Sequence, residues 1–430
     1  MVAALPMAAA DGCVFKNPAE TFQVDEEEQY AVINHHDGYQ EMFISIKYRG
    51  HGGTRAAWVF PVPTVPDELN VVGGSPQFDG DDVLKKARRD VADTIGAVYA
   101  SYLVSTVMPV ACSAGLAYVW ITGLASTGVD DSGVEVHRHV ERQGFVSEAI
   151  SADSGQDIYN YLKTNGVDVQ EGMVPQLDDY VRSDYSFVVS WALEDTDSVK
   201  NPGVWVGFGT ERPYYPMMLT SSYGDLVVPT EVIVTKFVTL DLPDHLDDHV
   251  ELTYYDQGRV YGDEAYEMSE WQRERVSDPY LSEFNRRIQN DWDRTFTRIT
   301  INAPAGEFRR DIWMEEGAPM PVAYAKLTQD DDIPIGPVFI VAYAFFSMAA
   351  GIISGMVVFN HHGRKDVSFW TAMGLLNLLG VLMLLLVSYH VLRKKGHSSK
   401  KALRFNLYYQ LSFLFMLTTF SVMVMLPLHL

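Results

Sequence analysis

The sequence predicts an α+β protein, with a strand-rich acidic globular region followed by a C-terminal cluster of about three transmembrane helices. Three observations predict it. Charge is divided along the chain: residues 1–334 hold 25 basic and 55 acidic side chains, whereas residues 335–430 hold eight basic side chains and only Asp366. Three runs without a charged residue close the chain, at 333–363, 367–392 and 405–430. Between residues 11 and 334, β-branched and aromatic segments bounded by Gly, Pro and Asn outnumber helical periodicities.

In that globular region, EMFISIKYR (41–49) and AAWVFPV (56–62) flank the turn-like HGG at 51–53 and read as a β-hairpin ending in Pro61, Pro63 and Pro66. From Asp81 to Ile95, the residues Leu84, Ala87, Val91 and Ile95 fit one helical face. DIYNYLKTNG (157–166) is a helix stopped at Asn165-Gly166, and a second short helix covers Val174–Val181 with Pro175 in its first turn. Strands follow at 185–193, 203–209 and 231–240, with the proline turn ERPYYP at 211–216. An amphipathic helix over 278–292 opens at Asp278-Pro279 and faces inward through Leu281, Phe284, Ile288 and Trp292. RTFTRITIN (294–302) is the last strand. Hairpin, proline turn and strand occur at both 41–66 and 185–216, which suggests an internal duplication.

Each C-terminal run exceeds the roughly 20 residues a helix needs to cross the hydrocarbon core. In the first, Ser347, Gly351 and Gly355 recur every four residues, a spacing that lets helices approach closely in lipid. A fourth apolar stretch, 94–129, is divided by Pro109 and reads as a buried segment or a membrane-dipping hairpin inserted into the acidic region. Residues 1–10 resemble the end of a secretory signal, with Ala8–Ala10 as its small-residue site before Asp11. The basic loop from Arg393 to Arg404 sets a conflict. Three crossings would place it on the same side as an exported acidic region, against the tendency of short basic loops to stay cytoplasmic. Re-entry of one hydrophobic run without crossing would remove the conflict.

The segments AAWVFPVPTVPDELNV, FVSEAISADSGQDIYNYLKTNGVDV, YSFVVSWAL, ERPYYPMMLTS and TFTRITINAPAGEFRRDIWME, after an ADGC start, occur in that order over residues 10–315. Together they resemble the prokaryotic domain-of-unknown-function family 2330. The resemblance implies an exported domain anchored at its C-terminus and implies no activity. Two departures mark this chain: the apolar 94–129 stands where such proteins carry a polar linker, and three hydrophobic segments replace a single anchor.

Candidate chemical residues are few. His137 and His139 alternate along VEVHRHVER and could share a metal, with His35, His36 and Asp37 as further ligands; as isolated surface histidines they would do nothing of the kind. Asp244, His245, Asp247, Asp248 and His249 form a polar cluster that lacks EF-hand spacing and reads as a solvated loop. Cys13 and Cys112, the only cysteines, could pair in an oxidising compartment. No GxSxG, HExxH, phosphate loop or dinucleotide fingerprint is present. The acidic region would repel nucleic acid. The expectation is therefore a non-enzymatic interaction or scaffold protein of the cell envelope. It has no cofactor, the bilayer and other envelope proteins or its own copies are its partners, and its acidic region is extracytoplasmic. An accessory subunit of a larger membrane complex and a metal-dependent hydrolase are the rival readings.

Overall fold

The computed structural model describes residues 13–15, 25–49, 57–107, 139–142, 144–165, 171–192, 202–227, 229–262, 278–288, 295–329, 335–360 and 364–429. They group into two units, one within Met1–Asp82 and Ser126–Ala318, the other within Val83–Ala125 and Pro319–Leu430. The protein is thus mixed α+β, with a strand-rich N-terminal part and C-terminal helices. The helical unit takes in chain that precedes the apolar run opening at residue 333, together with the start of the apolar insertion.

The first unit begins with β1 (Cys13–Phe15), β2 (Asp25–His36), β3 (Tyr39–Arg49), β4 (Ala57–Val62), β5 (Glu68–Gly73) and β6 (Pro76–Asp82). The chain leaves it through α1 (Val83–Val107) and is next described at β7 (His139–Arg142) and β8 (Phe145–Ile150). Helices α2 (Gly155–Thr164) and α3 (Val174–Arg182) precede β9 (Ser186–Ala192), β10 (Pro202–Gly209) and β11 (Tyr214–Tyr215). Then come β12 (Thr230–Val234), β13 (Val238–Leu240), β14 (Val250–Gly262), α4 (Pro279–Ile288), β15 (Phe296–Ile301) and β16 (Ile312–Glu316).

Three sheets result, with strand orders β1-β4-β9-β8-β7, β5-β10-β3-β2-β12-β15-β14-β6 and β11-β16-β13. Among the described residues every strand pairing is antiparallel except β2 with β12. Alternation along the strands sorts side chains into three apolar layers. Ile33, Ile44, Val206 and Ile299 of the large sheet meet Trp58, Phe60 and Val188 of the five-stranded sheet. Their neighbours face the other way. Ala57, Val59, Phe187 and Val189 pack on Ile158, Leu162 and Leu177 of α2 and α3, while Val32, Phe43, Trp205 and Phe296 pack on Leu281, Phe284 and Ile288 of α4. Both sheets are therefore buried on two faces. Each Val, Ile, Leu or Phe fully buried this way stabilises by about 1.5–3 kcal/mol.

The two strands of the expected hairpin do form, but they do not pair with each other. β3 joins the large sheet beside β2 and β10, and β4 joins the five-stranded sheet between β1 and β9. Alternation reports which residues share a face and leaves the partner open. The true hairpin is β2–β3, turned by Asp37 and Gly38 at φ 50° and 78°, where an Asp-Gly pair suits two left-handed positions. The segments 41–66 and 185–216 visit the two sheets in opposite order, so they are not structural repeats. The expected strand 231–240 breaks into β12 and β13.

The helical unit contains α1, α5 (Met320–Gln329), α6 (Ile335–Phe359), α7 (Arg364–Leu375), a 3-10 turn at Leu376–Leu379, α8 (Val381–Lys394) and α9 (Ser399–Met425), extended by a 3-10 turn at Leu426–Leu428. Two helices, Ile335–Phe359 and Ser399–Leu428, are long and apolar enough to cross a membrane. They run antiparallel, with Phe339 against Phe420, Tyr343 against Phe413 and Phe359 against Phe405.

The middle run is not a third continuous span. It breaks at Gly380, whose φ of 107° and ψ of 148° are open only to glycine, and it doubles back. On the way in, Trp370 stacks on Phe359 at 4.7 Å and Asn377 Nδ2 donates to the Tyr343 hydroxyl at 3.1 Å. On the way out, Ser388 donates to Asn406 at 2.8 Å, and Leu392 shares a cluster with Trp370, Ala402 and Phe405. Residues 364–394 form a helical hairpin whose two ends lie at the same end of the unit. Hydropathy alone cannot see this reversal, because both arms are apolar.

Ser347, Gly351 and Gly355 face α7 across this packing. A Cβ at Gly351 would lie 2.3 Å from the Trp370 carbonyl oxygen, and one at Gly374 would lie 2.2 Å from that of Ser347. At the opposite end, Arg88 of α1 donates to the Leu428 carbonyl at 2.7 Å, and Tyr324 of α5 donates to that of Val424 at 3.3 Å. Helix α1 then runs along α9, with Tyr99 bonded to Thr418 at 2.9 Å and Tyr102 stacked on Phe413 at 5.5 Å. Of the apolar insertion 94–129, residues after 107 lie outside the described ones.

Candidate functional site

A cleft of about 450 Å³ opens in the strand-rich unit where three connections meet strand β16. The β2–β3 turn brings Gly38, whose carbonyl accepts the Thr210 amide at 2.9 Å. The β4–β5 connection brings Pro63 and Thr64, whose hydroxyl donates to the Gly209 carbonyl at 3.0 Å. The turn after β10 brings Thr210 and Arg212, and β16 brings Trp313. The Arg212 guanidinium lies 5.4 Å from the Trp313 ring centre and pairs with Glu315 at 2.5 Å. Trp313 packs on the buried Tyr214 at 4.9 Å.

Two polar clusters stiffen the cleft from behind. His35 is 4% exposed, with Nε2 2.9 Å from the Thr210 carbonyl and Nδ1 3.1 Å from Glu316. Lys236 donates to the same carboxylate at 2.6 Å. That hydrogen bond, with further help from His35, holds the Glu316 carboxyl below the usual carboxylate range although partial burial opposes it.

The second cluster surrounds Asp311. Its carboxylate accepts from the Tyr180 hydroxyl at 2.6 Å, the Tyr214 hydroxyl at 2.8 Å, and the Met217 and Met218 amides at 2.8 Å each. All four donors are neutral. Burial therefore wins and pushes the carboxyl above its ordinary value. Burial and the nearby Asp311 charge push both tyrosines well above 10, so they stay protonated as donors.

Chemically this arrangement offers a planar cation over an indole, open backbone at two glycines, and two hydroxyls. Thr64 and Thr210 both donate to carbonyls, the latter to Arg212 at 2.9 Å, so neither is paired with a base. The cleft is shallow and open, lined by one indole, one guanidinium and the backbone of two glycines. Sequence reading found its ERPYYP turn but not the assembly, whose residues lie between 38 and 313.

The residues singled out for chemistry do not converge here. His35 points inward and His36 outward on alternate faces of β2, and Asp37 occupies the turn. His139 is exposed on β7 and bonds Glu148 at 2.6 Å, while His137 lies outside the described residues. Asp244–His249 forms a 3-10 turn anchored by the buried Leu246. His245 pairs with Glu307 at 3.3 Å, and Asp247, Asp248 and His249 are exposed. Among the described residues no three His, Cys, Asp or Glu side chains gather as a metal site. The Cys13 side chain and Cys112 lie outside the described residues, as does the signal-like start.

No family model matches this chain, and no curated protein is similar to it. Among solved structures, a mutated baculovirus P35 after caspase cleavage aligns over 67% of this chain and 99% of its own, at 8% identity and a TM-score of 0.26. The caspase-8/P35 complex aligns over 67% and 96%, at 7% identity and a TM-score of 0.27. Similarity this low transfers neither fold nor function.

Proposed function

We propose that this chain is a membrane-anchored interaction or scaffold protein of the cell envelope, with its strand-rich unit outside the cytoplasm and no catalysis of its own. The observation that carries the reading is the hairpin at 364–394. Because it doubles back, Arg364, Lys365 and the 393–404 loop share one end of the helical unit, with two candidate spans rather than three between that end and the other. The chain enters the helical unit at Val83 and Pro319, and α1 and α5 begin at the opposite end, beside Val424 and Leu428. Short basic loops favour the cytoplasm. One crossing by Ile335–Phe359 separates the chain before Pro319 from the basic loops, so the strand-rich unit is then extracytoplasmic, as the resemblance of its motifs also implies. The cleft beside Trp313 is the place where this unit would hold a partner.

The test places single cysteines at Ser154 or Ser398 in a chain whose Cys13 and Cys112 are replaced. Intact cells are then treated with an impermeant thiol reagent. Labelling at Ser154, with Ser398 reacting only after lysis, is the expected result, and the reverse pattern overturns the orientation. The scaffold role is tested separately. A chain that co-purifies with no envelope protein and sizes as a monomer from native membranes would overturn it.

A further inference from the structure

We propose that the basic end of the helical unit is a docking surface for the headgroups of anionic phospholipids. The inference rests on the membrane reading above and adds the ligand. Three continuous spans would have divided the cations between two faces of a bilayer. The hairpin instead gathers Arg364 and Lys365 at the start of α7, Arg393, Lys394 and Lys395 at the end of α8, and the cations opening α9 at one end, where Asp366 is the one acid among the described residues.

Beneath these cations lies an aromatic floor. Phe359 stacks on Trp370 at 4.7 Å and meets the His397 ring at 4.5 Å. Lys395 Nζ stands 3.4 Å from the Phe369 ring centre and Lys401 Nζ 5.9 Å from that of Phe359. A ring holds each ammonium by one face, and an ammonium has three donors, so N–H groups remain for a phosphate. The first turn of the 27-residue α9, capped by Ser398, adds the positive end of a helix at the same level.

Two features single out a lipid over a soluble anion. One to three turns along α9 from these cations, Leu403, Leu407 and Leu411 are 69%, 57% and 57% exposed, an apolar flank for acyl chains beside a polar cap for phosphate. The cations also stand at the end of two apolar helices, the level at which headgroups lie.

The full chain is reconstituted into nanodiscs of phosphatidylcholine alone and of phosphatidylcholine with phosphatidylglycerol in equal parts. Thermal unfolding and the lipids retained after detergent extraction are then measured. The expected result is a higher unfolding temperature and retained phosphatidylglycerol in the mixed discs, both weakened by salt. Lys394→Gln and Lys400→Gln should each lower retention about fivefold and leave unfolding in phosphatidylcholine unchanged, whereas Lys395→Gln and Lys401→Gln should lower retention as much and also lose their ring contacts. Equal unfolding in the two discs, or a shift that survives all four substitutions, overturns the proposal while leaving the membrane reading intact. A shift reproduced by inorganic phosphate in phosphatidylcholine discs assigns the site to a free anion and overturns the lipid. Failure to enter either disc counts against the membrane reading itself.

Discussion

Lys395, just past the end of α8, places its ammonium 3.4 Å from the ring centre of Phe369 near the start of α7, although 25 residues separate them. A continuous helix would hold those two residues more than about 35 Å apart at about 1.5 Å per residue. The contact therefore records the reversal at Gly380.

Gly351→Leu should destabilise the helical unit by about 1–3 kcal/mol or more, since the new side chain meets backbone that cannot rotate away. The 2.3 Å approach to the Trp370 carbonyl oxygen would force α6 and α7 apart. Gly96→Ala is the control. Nothing lies within 4 Å of the point its methyl group would occupy, and replacing a helical glycine should stabilise by roughly 0.5–1 kcal/mol. Thermal unfolding of the full chain in one detergent compares the two, and equal effects would refute the close-packing account.

Asp278→Ala should cost roughly 3–5 kcal/mol, well beyond the roughly 1 kcal/mol of an ordinary helix cap. Asp278 opens α4 by accepting the Tyr280 amide at 2.9 Å, and its carboxylate, 4% exposed, also pairs with Arg142 at 2.7 Å. Removing it leaves that guanidinium beside the Val71 carbonyl and the Tyr280 ring without its counter-charge. Denaturant unfolding followed by tryptophan fluorescence reads the difference, and a loss near ~1 kcal/mol would mean the ion pair adds nothing beyond the cap.

Helix α4 shows what could be read in advance. Asp278-Pro279 and the spacing of Leu281, Phe284 and Ile288 are local signals, and the helix forms over Pro279–Ile288; the rest of the expected span to 292, with Trp292, lies outside the described residues. Strand pairing is not local, which is why β3 and β4 were legible as strands and not as members of different sheets. The Asp37-Gly38 turn was a readable hairpin signal, hidden by the acidic start of β2. In the apolar run 367–392, a single glycine reverses the chain, and hydropathy carries no dihedral information. The cleft beside Trp313 is assembled from three connections and β16, each unremarkable alone; the ERPYYP turn was legible as a turn and not as part of a site.

Trp58→Ala should cost about 3–5 kcal/mol by emptying a large core site. Trp58 is 7% exposed on β4, a strand flanked on both sides, and its ring lies 4.7 Å from that of Phe60. Trp58→Phe should recover much of the loss because it refills most of the volume. Equilibrium unfolding of the three chains checks both expectations, and near-neutral Trp58→Ala would place the indole outside the core.

The carboxylates around the cleft and α4 predict opposite pH slopes on the two sides of the usual carboxylate range. Glu316 is held low by its hydrogen bond to Lys236. For Asp278, burial pushes upward, but the Arg142 hydrogen bond and the Tyr280 amide outweigh it and the carboxyl also sits low. A folded-state value below the unfolded one means that the unfolded chain takes up protons first. These two groups therefore stabilise the fold above the ordinary carboxylate value, and that contribution is lost as pH falls through their lowered values. Asp311 works in reverse: burial raises its folded-state value, so its contribution is present below the ordinary value and is lost as pH rises through the raised one. Lys236→Gln should flatten the acid-side slope only, and Asp311→Asn should flatten the slope just above the ordinary range only. Unfolding midpoints of the full chain across that pH span give both slopes. A variant that shifts the whole curve without changing either slope would show that its carboxylate does not titrate as the geometry requires.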